Sequence, residues 1–304
     1  MAPHVTILLG SFNGARHLPA QLASIAAQRG CDWSLRVSDD ASTDGTRDVV
    51  SAFAAAHPER DIRLRDGPGR GAAANYFGLL CDPDLPPGAV ALADQDDLWL
   101  GGKLARALRR IGSAGSGPVL YGAEAFLAGE TGKPYRRSAA HIAPSLENAA
   151  VQNLFGGHSI VLNADALALV RQAGPQDVPF HDWWLYLFLT AAGARLMLDP
   201  LPVALYRQHG GNLVGAPGGA LAGLRRAGRV FGSDYGRWIA ANLDALERVG
   251  PLLTPQAREF LVRYRQSTQK RGPFRAAALR RLGLRRDTAL ATAVYLVAAA
   301  VGRA

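Results

Sequence analysis

The stretch "VALADQDDLWLGGKL", residues 90–104, ends an apolar run with Asp94, Asp96 and Asp97, three carboxylates within four positions. Such like charges repel one another, and a solvated turn needs no hydrophobic strand leading into it. Hard divalent cations take oxygen ligands, often one or two carboxylates, with phosphate oxygens and water completing the shell. Asp94 and Asp96, on alternate positions of a strand end, suit Mg²⁺ or Mn²⁺, and a bound cation offsets the repulsion. The plainer reading is a solvated acidic turn in which Asp97 caps a helix beginning near Leu98.

Two other polar segments carry comparable chemistry. "VSDDASTDGT" presents Asp39 and Asp40, whose carboxylates can accept from a pyrimidine N–H or a ribose hydroxyl. "GSFNG", residues 10–14, has small residues that let backbone N–H groups approach a nucleotide. It lacks the spacing of a dinucleotide fingerprint, and no G-x-x-x-x-G-K-[ST] occurs in the chain. Each segment alone is more often a turn than a site.

Their positions in the chain change that. "HVTILLG", "WSLRVSDD", "IRLRD" and "AVALAD" read as short apolar strands. "ARHLPAQLASIAAQ", "DGTRDVVSAFAAAH" and "AAANYFGLL" between them read as helices. The alternation predicts βαβ units and a mostly parallel sheet, hence an α/β fold. "GSFNG", "SDDAST" and "DQDD" each fall where a strand ends. Ligands of open α/β sheets bind outside the carboxyl ends of strands, so three loops are expected to meet in one crevice. Beyond residue 113 the pattern is less regular: "GPVLYGAEAF", "ARLMLD" and "PVALYRQHG" read as strands, and "HDWWLYLFLTAAG" as an apolar helix with a polar start.

The chain has 304 residues, 48% of them hydrophobic and 19% charged, enough for a substantial core. "MAPHVTILLG" has no basic region and no long apolar core, so no signal peptide is read there. Two cysteines make no disulfide framework, and a reducing cytoplasm fits. The net charge of +9 is uneven: residues 221–304 carry 16 Arg or Lys against 5 Asp or Glu, whereas residues 1–220 carry 18 against 20. That asymmetry indicates a body with a basic appendage and argues against a nucleic-acid partner. The Gly/Ala/Pro-rich segment 211–223 reads as a hinge, and the sequence after it as helical. The last apolar run is too short to span a bilayer, which takes about 20 residues.

With these segments in view, the chain resembles the inverting family 2 glycosyltransferases of GT-A fold, most closely their bacterial rhamnosyltransferase branch. The resemblance runs from about Val5 to Gly215, on "SFNGARHLPAQLASIAAQ", "SDDASTDGT", "GRGAAANYFGLL", "DQDDLWLGGKL", "NLFGGHSIVLN", "HDWWLYL" and "LYRQHGGNLVG". It implies a Rossmann-like catalytic domain over residues 1–215 and a basic, mainly helical extension over 216–304. It also implies that Ser11, Phe12, Asn13, Asp39, Asp40, Asn75, Asp94, Gln95 and Arg207 hold the nucleotide sugar. Asp94 and Asp96, with His209, would be the metal ligands, and Asp182 the catalytic base. Gly157, His158, His181, Trp183 and Trp184 would lie on the acceptor side. This chain has Ala41 where relatives usually have Gly, and His158 where they often have Cys.

The implied reaction moves a sugar, L-rhamnose from dTDP-L-rhamnose in this branch, to a hydroxyl of a cell-surface glycan or lipid-linked acceptor. Another UDP- or dTDP-sugar is the alternative donor. A sugar nucleotidyltransferase is a rival class, but "LLGSFNGARHL" lacks its Gly-rich, basic loop. A non-catalytic nucleotide-sugar-binding module is another, but it would not require Asp182, which otherwise reads as a helix N-cap. The tail "QKRGPFRAAALRRLGLRRDTALATAVYLVAAAVGRA" combines clustered arginines with apolar residues at helical spacing. It is expected either to touch an anionic membrane surface, placing the protein on the inner face of the cytoplasmic membrane, or to pack on the body.

Overall fold

The computed structural model describes residues 3–138, 142–208 and 232–303. Its first half is four βα steps. Strand β1 (His4–Ser11) leads to helix α1 (Leu18–Ala26), β2 (Asp32–Asp39) to α2 (Thr46–Ala56), and β3 (Ile62–Asp66) to α3 (Ala72–Leu80). Strand β4 (Ala89–Asp94) is followed by a two-residue strand β5 (Leu98–Trp99) and α4 (Lys103–Gly112). The second half contains β6 (Val119–Ala123), β7 (Phe126–Ala128), β8 (Pro134–Arg137), α5 (Leu146–Ala149), β9 (Val161–Leu162) and α6 (Ala164–Ala173). Helix α7 (His181–Ala191), β10 (Arg195–Asp199) and β11 (Ala204–Arg207) complete the body. Four helices follow: α8 (Ser233–Arg248), α9 (Pro255–Thr268), α10 (Gly272–Arg281) and α11 (Ala289–Ala300).

The main sheet has seven strands in the order β10-β6-β9-β4-β1-β2-β3. The β1–β2, β1–β4, β2–β3 and β6–β10 pairs are parallel, while β9 lies antiparallel between β4 and β6. The apolar runs become central strands because both faces are covered. Ile7 and Leu9 face one apolar cluster with Leu18, Leu22, Val50 and Leu104, while Leu8 faces the other with Phe77, Leu92 and Trp184. The strand order reverses between β1 and β4, the point at which such sheets open a crevice. Gly10 pairs with Asp94 across β1–β4, and Ser11 with Asp39 across β1–β2. Register thus sets the polar loop ends side by side.

Two expectations need correction. "DQDD" does not open a helix near Leu98. Residues 98–99 instead form β5, antiparallel to β11 in a second, four-stranded sheet ordered β5-β11-β7-β8, and the helix begins at Lys103. "GPVLYGAEAF" splits into β6 and β7, because Glu124 leaves the first sheet before Phe126 joins the second. Of the two placements expected for the tail, packing on the body is present: Tyr235, Ile239, Leu243, Leu279 and Tyr295 share one buried cluster with Trp183–Leu189 of α7. The hinge at 211–223 and the 215/216 boundary lie outside the described residues. Among the described residues no helix is long and apolar enough to cross a membrane. Cys31 and Cys81 are free thiols.

Candidate active site

At the end of β4 the acidic turn is built into the fold rather than solvated. Tyr76, rooted in α3 and buried, brings its hydroxyl to 2.6 Å from the Ala93 carbonyl and 2.8 Å from Asp94 Oδ1. Burial and the charge of Asp96 push the Asp94 carboxyl above the ordinary range, and the charge of Asp182 adds to that. Asp97 is wholly buried; its Oδ1 accepts from the Arg207 amide at 3.2 Å, and its Oδ2 has no hydrogen-bond partner. Burial and the neighbouring charges of Asp94 and Asp96 hold the Asp97 carboxyl well above its usual value.

Beneath them lies a buried lysine. Lys103 donates to the His158 carbonyl and places its ammonium 3.5 Å from the centre of the Trp99 ring. Burial pulls its pKa down to about 7, and the charges of Asp97 and Asp94 oppose that fall. His158 stacks on Tyr206 with ring centroids 4.8 Å apart. Its imidazole is kept neutral, with a pKa of about 3, by burial and by the Lys103 charge. Asp94, Asp97 and His158 each offer a potential ligand atom, and these atoms lie within 4.8 Å of one another. An orphaned buried carboxylate oxygen beside a neutral imidazole and a second carboxylate is a donor set that fits a divalent cation. Asp96 does not join that cluster, and His209 lies outside the described residues.

The β1 loop is anchored across the same edge. The Gln95 side chain pairs with the Phe12 backbone in both directions, accepting its N–H and donating to its carbonyl at 2.9 Å each. Asn13, at φ 46°, accepts from the Thr43 amide at 2.8 Å. Phe12 itself is 55% exposed. Asp39 accepts from the hydroxyls of Ser11 and Ser42 at 2.9 and 2.6 Å, and Asp40 from the amides of Gly69 and Gly71 at 2.7 Å each. Asn75 donates to the Ser38 carbonyl at 2.8 Å, and its buried Oδ1 has no partner. Both carboxylates are therefore engaged in shaping the "DDAST" and "GPGRG" loops. Arg207 is buried, with Nη1 2.7 Å from His17 Nδ1.

Asp182 stands at the start of α7 on the same side of the sheet. Its carboxylate accepts from the Trp183 amide at 2.7 Å and the Gly157 amide at 3.1 Å, and from the Asn153 side chain. Burial nevertheless wins over these bonds and raises its pKa to about 6. The neighbouring His181 stacks on Tyr76 with centroids 3.9 Å apart, and burial keeps its imidazole neutral, with a pKa of about 3. Gly157 fits under this corner because a Cβ there would lie 3.1 Å from His181 Nε2. The expected acceptor-side placement of the two tryptophans is corrected: Trp184 is fully buried against Phe77 and Phe188, and Trp183 is buried with its indole donating to the Ala149 carbonyl at 2.7 Å. Helix α7 is apolar nearly all round because α3, α5, α6 and α8 pack around it, which leaves its first turn for polar work.

The profile of "Glycosyl transferase family 2" matches residues 6–172, more than half of the chain. The chain belongs to glycosyl transferase family 2.

The transferase is similar to dTDP-rhamnosyl transferase RfbG of Shigella flexneri, 26% identical over 252 residues that cover 78% of this chain and 84% of the relative. It is 35% identical over 123 residues to a PGL/p-HBAD biosynthesis glycosyltransferase of Mycobacterium bovis, covering 40% and 46%. Among solved structures it resembles the mannosyltransferase PcManGT of Pyrobaculum calidifontis with GDP-Man and Mn²⁺, at TM-score 0.54 and 19% identity, over 99% of this chain and 86% of that one. It also resembles residues 1–349 of S. aureus TarS with UDP-GlcNAc, at TM-score 0.56 and 13% identity, over 97% and 90%. The glycosyltransferase therefore has the GT-A fold.

Sequence reasoning passed over Tyr76, Asn153 and Lys103, and it gave Asp97 only a capping role. Tyr76 and Lys103 lie inside quoted motifs but look like ordinary helix residues there. Only the fold shows that a buried hydroxyl and a buried ammonium face carboxylates.

Proposed function

We propose that this glycosyltransferase moves a sugar, with inversion, from a nucleoside diphosphate to an acceptor hydroxyl, and that the donor is dTDP-L-rhamnose. The observation that carries the reading is the arrangement of Asp182 and Asp94, linked through the stacked His181 and Tyr76 rings. A base on one wall and an anion-handling turn on the other are the two requirements of a direct displacement.

The acceptor oxygen bonds to the anomeric carbon as the bond from that carbon to the diphosphate oxygen breaks. The acceptor proton passes to Asp182, and the electron pair leaves with the nucleoside diphosphate. With a pKa of about 6, Asp182 is ionised at neutral pH yet basic enough to assist, help that typically contributes about 10²–10⁴-fold. The Gly157 and Trp183 amides and the Asn153 side chain keep its carboxylate turned to the cleft wall. Asp94, Asp97 and His158 would hold the divalent cation, with Asp96 adding charge to the same turn. That cation, when bound, acts as a Lewis acid on the developing phosphate charge. Ser11, Phe12, Asn13 and Gln95 would line the nucleotide, with Asp39, Asp40 and Asn75 fixing the loops that read it, and Arg207 on the diphosphate side.

The rhamnose assignment rests on the likeness to the Shigella rhamnosyl transferase. Another UDP- or dTDP-sugar is the second reading, favoured by the fold shared with a UDP-GlcNAc-bound protein. Nucleoside diphosphate release from dTDP-L-rhamnose, UDP-glucose and UDP-GlcNAc in the presence of Mn²⁺ separates them. Preferred turnover of the rhamnose donor is expected. Preference for a UDP-sugar would replace that donor, and release from none would contradict transfer.

The extension also supports a peripheral contact with an anionic membrane surface. Phe274 is 78% and Leu290 75% exposed on the mutually packed α10 and α11, with Arg271, Arg280 and Arg281 exposed nearby.

A further inference from the structure

A cavity of about 260 Å³ opens beside His158, away from the nucleotide loops. Its lining includes Glu124, Gln152, Asn153, His158, Tyr206 and Asp287, and none of Ser11, Phe12, Asn13, Asp39 or Asp40. Two of these residues tie it to the reaction centre. Asn153 hydrogen-bonds the Asp182 carboxylate, and His158 belongs to the candidate cation cluster. A larger cavity of about 600 Å³, between the segment after α6 and helix α8, shares no residue with that centre.

One wall of the smaller cavity comes from the extension. Asp287 lies in the turn between α10 and α11, and its amide donates to Gln152 Oε1 at 2.7 Å. Two residues earlier the Arg285 carbonyl accepts from Asn148 Nδ2 at 3.0 Å. The turn is therefore clamped onto residues 148–153, immediately before the loop that carries Gly157 and His158. The extension is part of the site, and a tail truncation would open it.

We infer that this cavity is the acceptor subsite and takes one neutral sugar ring, with Asp287 determining specificity. The inference rests on the transfer reading and deepens it. At the small end of ligand pockets, the volume suits a single ring. Carboxylates at Glu124 and Asp287, with the Gln152 and Asn153 amides, match the donors and acceptors of vicinal hydroxyls. Ala123, Ala125, Leu127 and Leu154 give the C–H face of a ring an apolar surface. The lining holds two carboxylates and no Lys or Arg, so an anionic sugar meets net repulsion. A ring held there presents its hydroxyl beside Asn153, hence to Asp182.

The test uses the full chain with octyl α-L-rhamnoside, octyl β-D-glucoside and octyl β-D-glucuronide as probes, read by saturation-transfer NMR and by transfer kinetics. At least one neutral glycoside should bind and the glucuronide should not. Asp287→Ala and the near-isosteric Asp287→Asn should each weaken that binding about tenfold, with nucleotide affinity and acceptor-free donor hydrolysis unchanged. Binding of no neutral glycoside, equal binding of the glucuronide, or unchanged binding in both variants would overturn the subsite. Absent nucleotide binding and donor hydrolysis in the unaltered protein would instead overturn the transfer reading beneath it.

Discussion

The ring of His181 stacks on that of Tyr76 at 3.9 Å, and the Tyr76 hydroxyl reaches Asp94 at 2.8 Å. Through this pair the first turn of α7 is held against the end of β4, so that Asp182 and Asp94 stay close enough for their charges to act on each other although α7 and β4 are far apart in the chain. Removing the hydroxyl should loosen the Asp94 end while the ring stack survives. Tyr76→Phe is expected to keep the fold and to weaken Mn²⁺ affinity and turnover together, by about tenfold for one lost charge-assisted bond of roughly 1.5 kcal/mol. Calorimetric Mn²⁺ titration beside an activity assay checks this.

On the proposed reaction, the acidity of Asp182 sets the pH profile. Because burial raises its pKa to about 6, Asp182 would be protonated below that value and unable to take the acceptor proton. Turnover should climb as pH rises through about 6 and then level off. A rate that is flat from pH 5 to 8 under saturating donor and metal would argue against a titrating base.

Asp94 is shared by the D-x-D spacing and by the observed cluster, whereas Asp96 and Asp97 belong to one each. Excess EDTA should stop transfer, and Asp94→Ala should do the same. Comparing Asp96→Asn with Asp97→Asn shows which partner counts. The larger loss of Mn²⁺ affinity is expected at Asp97, and a larger loss at Asp96 would return the site to the spacing-based pair.

Lys103 is buried, donates to the His158 carbonyl and lies over the Trp99 ring. Lys103→Met should cost about 1–3 kcal/mol, as leaving a buried carbonyl without its donor does. Urea unfolding measures it.

Ala41 sits at φ 67°, a conformation that costs a residue with a Cβ about 1–3 kcal/mol. Glycine there relieves the strain but loses roughly 0.5–1 kcal/mol in chain entropy. Ala41→Gly should therefore raise Tm by about 2 °C, consistent with about 1 kcal/mol in a chain of this size. The glycine usual in resembling sequences thus has a backbone reason.

Membrane contact is open to a direct test at Phe274. Phe274→Asp should reduce co-sedimentation with vesicles of phosphatidylglycerol without changing that with phosphatidylcholine. Equal sedimentation of both proteins with the anionic vesicles would remove the contact.

The βα steps from His4 to Asp94 were legible because strand and helix periods are local, and the strand ends marked the cleft. Asp182 was legible as a carboxylate opening an apolar helix. What local pattern could not show was long-range pairing. Leu98 joins a strand because Leu205 lies opposite, and no residue near Leu98 announces it. Trp183 and Trp184 were expected on the acceptor side, yet the same aromatic surface is worth more inside, and α8 closes over them. Asp97 and His158 meet only because β4 and the loop before β9 are neighbours in the sheet. The tail's apolar spacing fitted a membrane face and a packed one equally; Leu279 and Tyr295 pack with α7, while Phe274 and Leu290 stay exposed.

The most direct measurement is of Asp182→Asn, which keeps the shape of the side chain and removes the base. Nucleoside diphosphate affinity by calorimetry should be unchanged, while turnover falls by about 10²–10⁴-fold. Loss of nucleotide binding in parallel with turnover, or turnover equal to that of the unaltered protein, would contradict the account.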